Sequence, residues 1–100
     1  MSVGLVMQFH GVGADKYDGI MRNIGLDRPD AVWPKGVISH IAGQSADGWC
    51  VIDVWETKAD FDAFFANQLA PAFGSVGGLP EPQFTTFQVH NSHGHGGAAR

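Results

Sequence analysis

Residues Val3 to His10, VGLVMQFH, carry Val3, Leu5, Met7 and Phe9 on one alternating set and Val6, Gln8 and His10 on the other. With apolar side chains on both sets, the segment reads as a strand covered on both faces. Ala14, Tyr17, Ile20, Met21 and Ile24 then recur at helical spacing behind Asp15, and Gly25 stands where a left-handed cap is wanted. The spacing predicts a first helix from Ala14 to Ile24. The stretch LDRPDAVWPKG has two prolines and no period, and reads as a loop crossing back over the sheet, in which Trp33 needs a surface to lie on. Val37 to Ala42 and Trp49 to Glu56 read as a hairpin around GQSADG, with Asp47-Gly48 as the expected centre of a tight primed turn. TKAD, from Thr57, opens a capped helix in which Phe61, Phe64, Phe65, Leu69, Ala72 and Phe73 share a face. Pro71 lacks a backbone donor and is expected to bend or end that helix, leaving Ala72 and Phe73 in a short extension or turn. After the loop GGLPEP, Phe84 to Val89 reads as a fourth strand.

The order βαββαβ predicts one α+β domain of ferredoxin-like fold over residues 1–91, a four-stranded antiparallel sheet with two helices on one face. Residues 92–100, small and glycine-rich, are expected to form a disordered tail. A sheet apolar on both sides calls for a second sheet, and a two-fold homodimer supplies one, with Val3, Leu5, Met7 and Phe9 as the expected contact.

Composition sharpens this picture. The chain is 44% hydrophobic and only 16% charged, so a monomer of 100 residues has too little charge to cover its apolar surface, which again favours a partner subunit. A formal net charge of −4 with scattered Lys and Arg argues against nucleic acid. No run approaches the ~20 apolar residues of a membrane span and the start lacks the features of a signal peptide, so a cytoplasmic location is expected. Cys50, the lone cysteine, sits inside an apolar run and reads as a small core residue.

The stretch VIDVWETKADFDAFF, a strand ending in Trp-Glu followed by a capped helix with paired aromatics, resembles the antibiotic-biosynthesis-monooxygenase superfamily of dimeric α+β barrels. In topology the resemblance extends over about residues 3 to 90. It implies a small cofactor-independent enzyme of monooxygenase, cyclase or isomerase type, acting on a flat oxygenated molecule such as a polyketide-like intermediate. The superfamily also includes members without known activity, so a non-catalytic dimeric module that binds a small ligand or a protein stays open. A haem-binding protein is a further alternative. The haem-degrading branch resembles this chain least where it matters, because its strand Asn, helix Trp and axial His fall on Gln8, Phe64 and Phe73, and phenylalanine cannot ligate iron. Only His10, His40 or His90 could substitute.

The resemblance also implies a ligand pocket between sheet and helices with Trp55 on its wall. Alternation places Asp53 and Val51 on the face of Trp55. With Asp47-Gly48 central in the turn, Ala46 pairs with Trp49, His40 falls across from Trp55 and Ala42 across from Asp53, making His40 and Asp53 diagonal neighbours. A carboxylate beside an imidazole fixes the ring's tautomer and makes it a better proton acceptor, so His40 and Asp53 are the catalytic candidates. The same pair also serves as a self-satisfied polar patch in a core. Gln8 is the candidate hydrogen-bond donor to a substrate oxygen, with His10 beside it. Trp33, Trp55, Phe64 and Phe73, with Tyr17, are candidates for an aromatic wall. No cofactor or native metal is expected: His90, His93 and His95 lie on the glycine-rich tail, and no P-loop, dinucleotide fingerprint, Cys-x-x-Cys pair or nucleophile elbow is present.

Overall fold

A computed structural model describes residues 2–93, so the expectation of a disordered tail falls outside the described residues from position 94 onward. The elements are β1 (Val3–His10), α1 (Ala14–Asn23), β2 (Val37–Ser45), β3 (Gly48–Trp55), α2 (Lys58–Phe64), a π-helical segment (Phe65–Leu69), α3 (Ala70–Val76) and β4 (Gln83–Gln88). The strands form one antiparallel sheet in the order β2-β3-β1-β4, the ferredoxin-like arrangement with the helices on one face. Among the described residues no helix is long and apolar enough to cross a membrane.

Strand alternation settles which face is the core. Leu5, Met7 and Phe9 of β1 and Val51 and Trp55 of β3 are buried in one cluster with Ile20, Phe61, Leu69 and Ala72 from the helices. The expected dimer contact through Val3, Leu5, Met7 and Phe9 is therefore corrected: that set faces the chain's own helices. The opposite face carries Val6, paired with Ile52, and Ile41, also paired with Ile52. Phe87 lies there too, its ring lying across Gly4, where any Cβ would collide with it.

The turn of the hairpin is Ala46-Asp47, one residue earlier than the expected Asp47-Gly48, because Ser45 pairs with Gly48. Gly48 is needed within the strand: a Cβ there would strike the backbone carbonyl of Phe9 on the neighbouring strand, so its missing side chain permits the close pairing with His10. The turn is also fastened to the end of β1, where Gly11 N–H donates to the Asp47 carbonyl at 2.8 Å and His10 Nδ1 lies 3.0 Å from Asp47 Oδ2. Farther along, a bulge between Val37 and Ser39 leaves Ile38 half exposed.

Two helix ends position the site. At the end of α1, Gly25 has φ +77°, its N–H donates to the Arg22 carbonyl and that of Leu26 to the Met21 carbonyl, a Schellman pair that turns Leu26 back toward the core. Thr57 caps α2, accepting from Asp60 N–H at 3.1 Å. Of the two outcomes expected at Pro71, a bend or an end, the end does not occur. The turn before it widens to π geometry, with Ala70 N–H donating to the Phe65 carbonyl, and Pro71 then occupies the first turn of α3, where a missing donor costs little. Ala72 and Phe73 are thus fully helical, and the strand predicted from Phe84 begins at Gln83.

Candidate active site

His40 pairs directly with Asp53, not diagonally. The register differs from the expected one by two residues, and two is a full pleat, so His40 keeps the face of Asp53 and Trp55. That face is the core face. Asp53 is 4% exposed, the one charged side chain among the buried residues described. Its Oδ1 lies 2.7 Å from His40 Nδ1, and its Oδ2 accepts from the Trp55 indole N–H at 3.1 Å. The other ring nitrogen, His40 Nε2, lies 2.6 Å from the Tyr17 hydroxyl. An ionised carboxylate only accepts, so Nδ1 carries the hydrogen and donates to Asp53. In the neutral ring Nε2 then accepts from the Tyr17 O–H, and a proton delivered there gives an imidazolium bonded at both ends.

Tyr17 comes from α1, His40 from the edge strand β2 and Asp53 from the central strand β3, so the chain of hydrogen bonds ties the helix layer to the sheet. Burial of the phenol, and after it the negative charges of Asp53 and Asp18, push the Tyr17 pKa up from 10.0 to about 12. Tyr17 therefore works as a neutral phenol, a donor and relay rather than a standing phenolate. Because it is the chain's single tyrosine, phenolate absorbance reports on it alone. Its alkaline titration is expected near 12 in the native protein, and part-way back toward 10.0 in Asp53→Asn, where burial remains but the larger of the two charges is gone. The linked stability follows in sign: the unfolded phenol ionises first, so stability is full below pH 10.0 and falls as pH climbs toward about 12. A midpoint near 10 in the folded protein would show that the hydroxyl is solvated.

The three side chains border a cavity of about 50 Å³ between sheet and helices. Met7, Phe9 and Val51 line it from the sheet, and Met21, Leu26, Phe64 and Phe73 from the helical side. The volume holds a few heavy atoms, well short of the ~300 Å³ at which small-molecule pockets begin. On the far side of His40, an open groove of about 320 Å³ is lined by Trp33, Val37, Ile38 and Ser39. Trp33 rests on His40 with ring centroids 5.1 Å apart.

Of the residues expected at the site, His40, Asp53, Phe64 and Phe73 meet at the cavity and Trp33 reaches it through His40. Trp55 is corrected from pocket wall to core: at 2% exposure it packs on Phe61 and Phe64 and holds Asp53 from behind. Gln8 and His10 are corrected as well. Both are exposed, on the parity opposite Met7 and Phe9, and His10 is engaged by Asp47. Tyr17, expected only as part of an aromatic wall, is the residue whose polar end completes the relay. Among the described residues no three His, Cys, Asp or Glu side chains gather as a metal site.

Fold and site together define a ferredoxin-like α+β protein with a partly buried Tyr-His-Asp relay beside a small apolar cavity. The structure is similar to SnoaB, a cofactor-independent oxygenase from Streptomyces nogalater, in its N63A mutant form, at a TM-score of 0.64 and 17% identity, covering 91% of this chain and 95% of that one. It is similar to Rv0793 from Mycobacterium tuberculosis at a TM-score of 0.66 and 16% identity, covering 94% and 100%. It is also similar to a dimeric ferredoxin-like protein of unknown function from Thermobifida fusca at a TM-score of 0.62 and 13% identity, covering 89% and 92%. No family model and no curated protein matches the chain. At these identities the likeness establishes the shared fold alone, a fold that solved structures described as antibiotic biosynthesis monooxygenases also have.

Proposed function

We propose that the protein is a small cofactor-independent enzyme of monooxygenase, cyclase or isomerase type that removes a proton from a flat, oxygenated organic molecule. The observation that carries this reading is the hydrogen-bonded chain Tyr17–His40–Asp53 at the cavity wall. The substrate's acidic C–H or O–H is presented to the Tyr17 oxygen, the phenolic proton moves to His40 Nε2, and Asp53 stabilises the imidazolium. The cavity beside Tyr17 and His40 takes the reacting edge of the molecule. The similarity to a cofactor-independent oxygenase supports proton removal as the activating step, since a deprotonated electron-rich ring needs no prosthetic group to react onward. The test is exchange of substrate protons for deuterium, with parallel oxygen consumption, across a panel of hydroxyaromatic and 1,3-dicarbonyl compounds. Exchange with at least one class is expected.

A specific observation favours a second reading, the non-catalytic binding module: about 50 Å³ is too small for a polycyclic ligand. Binding of panel compounds without exchange or oxygen consumption would establish it. The haem alternative finds little support in the site, because both ring nitrogens of His40 are engaged.

The proposed homodimer packs through the helix-free face, where Ile41, Ile52 and Phe87 are 63%, 39% and 51% exposed. The dimeric relative of the same fold supports it. Light scattering at micromolar concentration is expected to give the mass of two chains, and Ile52→Asp that of one, since a buried carboxylate at the centre of an apolar contact has no partner. A monomer mass for the unaltered protein would remove the idea.

A further inference from the structure

Aromatic rings run in an unbroken series from the surface through the relay to the edge of the core. Trp33, 38% exposed, lies 5.1 Å from His40 between ring centroids. Tyr17 lies nearly parallel to His40, 6.1 Å away at an interplanar angle of 10°, and Trp49 follows at 5.3 Å from Tyr17. Indole and phenol are readily oxidised by one electron, and in both oxidation makes the ring a far stronger acid, the phenol most of all, so the oxidising equivalent settles where the proton has an acceptor. The members of the series differ in that respect. Trp49 Nε1 is buried without a hydrogen-bond partner, so an oxidised Trp49 has nowhere to release its proton. Tyr17 has an acceptor at 2.6 Å in His40 Nε2, and Asp53 stands behind it to hold the imidazolium. The phenol's pKa of about 12 means that no phenolate stands ready at neutral pH, so oxidation of Tyr17 requires its proton to pass to His40.

We propose that Tyr17 is a redox-active tyrosine, the end point for a one-electron oxidising equivalent that enters the protein at Trp33. A small radical oxidant in solvent takes an electron from Trp33, and the exposed indole releases its proton. Tyr17 then supplies one electron to the indolyl radical, which takes a proton back from solvent and returns to indole. The Tyr17 O–H bond breaks, an N–H bond forms at His40 Nε2, and the products are a neutral phenoxyl radical and an imidazolium. The activity is a property of the relay and its flanking rings and does not depend on the substrate reading.

Pulse radiolysis of the full chain in azide solution, with azidyl radical as oxidant, tests this directly. The indolyl absorbance is expected to decay as phenoxyl absorbance grows, at a rate independent of protein concentration and slower in heavy water. His40→Gln removes the proton acceptor and is expected to slow the growth about tenfold or more. Tyr17→Phe leaves a long-lived indolyl radical, and Trp33→Phe, in an exposed loop, lowers the phenoxyl yield. The proposal is overturned by the absence of phenoxyl growth, by a rate that scales with protein concentration, by no change in heavy water, or by an unchanged yield in Trp33→Phe.

Discussion

Replacing His40 by alanine is expected to lower substrate proton exchange by ~10²–10⁴-fold while the dimer survives, because a general base contributes on that scale and no neighbouring group takes its place. Among the described residues the imidazole is the link between Tyr17 and Asp53, at 2.6 Å and 2.7 Å. Asp53→Asn is expected to lose less. It keeps the shape, but an amide at this position holds the ring tautomer less firmly and does not neutralise the imidazolium. Deuterium incorporation by mass spectrometry gives the rates, and circular dichroism confirms that each variant is folded. A loss well below ~10² in a folded His40→Ala would make the relay a structural network.

Trp55→Ala is expected to cost ~3–5 kcal/mol in a urea titration, a large part of the ~5–15 kcal/mol that stabilises an ordinary domain. The indole is among the most completely buried side chains described, and it touches Phe61 at 5.6 Å and Phe64 at 5.5 Å between centroids. Trp55→Phe separates packing from hydrogen bonding. It retains most of the apolar contact and deprives Asp53 Oδ2 of its donor, at an expected ~1–3 kcal/mol. Equal stability of Trp55→Phe and the parent would show that the Asp53 carboxylate is satisfied without the indole.

Most of the fold was legible because its signals are periodic. The alternation in β1 and β3, the helical spacing from Ala14 and the Thr57 cap each depend on neighbours a few residues away in sequence, and each element formed where expected. The errors came where two signals competed or a distant strand decided. Asp47-Gly48 is a strong turn signal, yet the glycine is required against the Phe9 carbonyl of β1, a contact invisible within the hairpin itself. His40 nevertheless reached the correct face, because an error of two residues preserves parity. Pro71 signals a bend or an end, and the π turn that accommodates it within the helix has no residue pattern to announce it. For β1, alternation showed two apolar faces but could not say which one the helices cover, and that ambiguity misplaced both Gln8 and the dimer contact. Tyr17 lies on the apolar stripe of α1 and looks like core from its spacing. Only the crossing of α1 over β2 shows that its hydroxyl meets an imidazole.

The bulge at Ile38 bears on what happens when copies of the chain crowd together. β2 is an edge strand, and a straight edge with exposed isoleucines is a template on which a foreign strand can pair and grow toward fibrils. The register shift between Val37 and Ser39 breaks the regular ladder at the start of that edge, so an incoming strand finds its hydrogen-bond spacing interrupted after a few residues. The irregularity two residues before His40 thus guards the sheet against uncontrolled self-association, while the unbroken register from the hairpin turn sets His40 opposite Asp53.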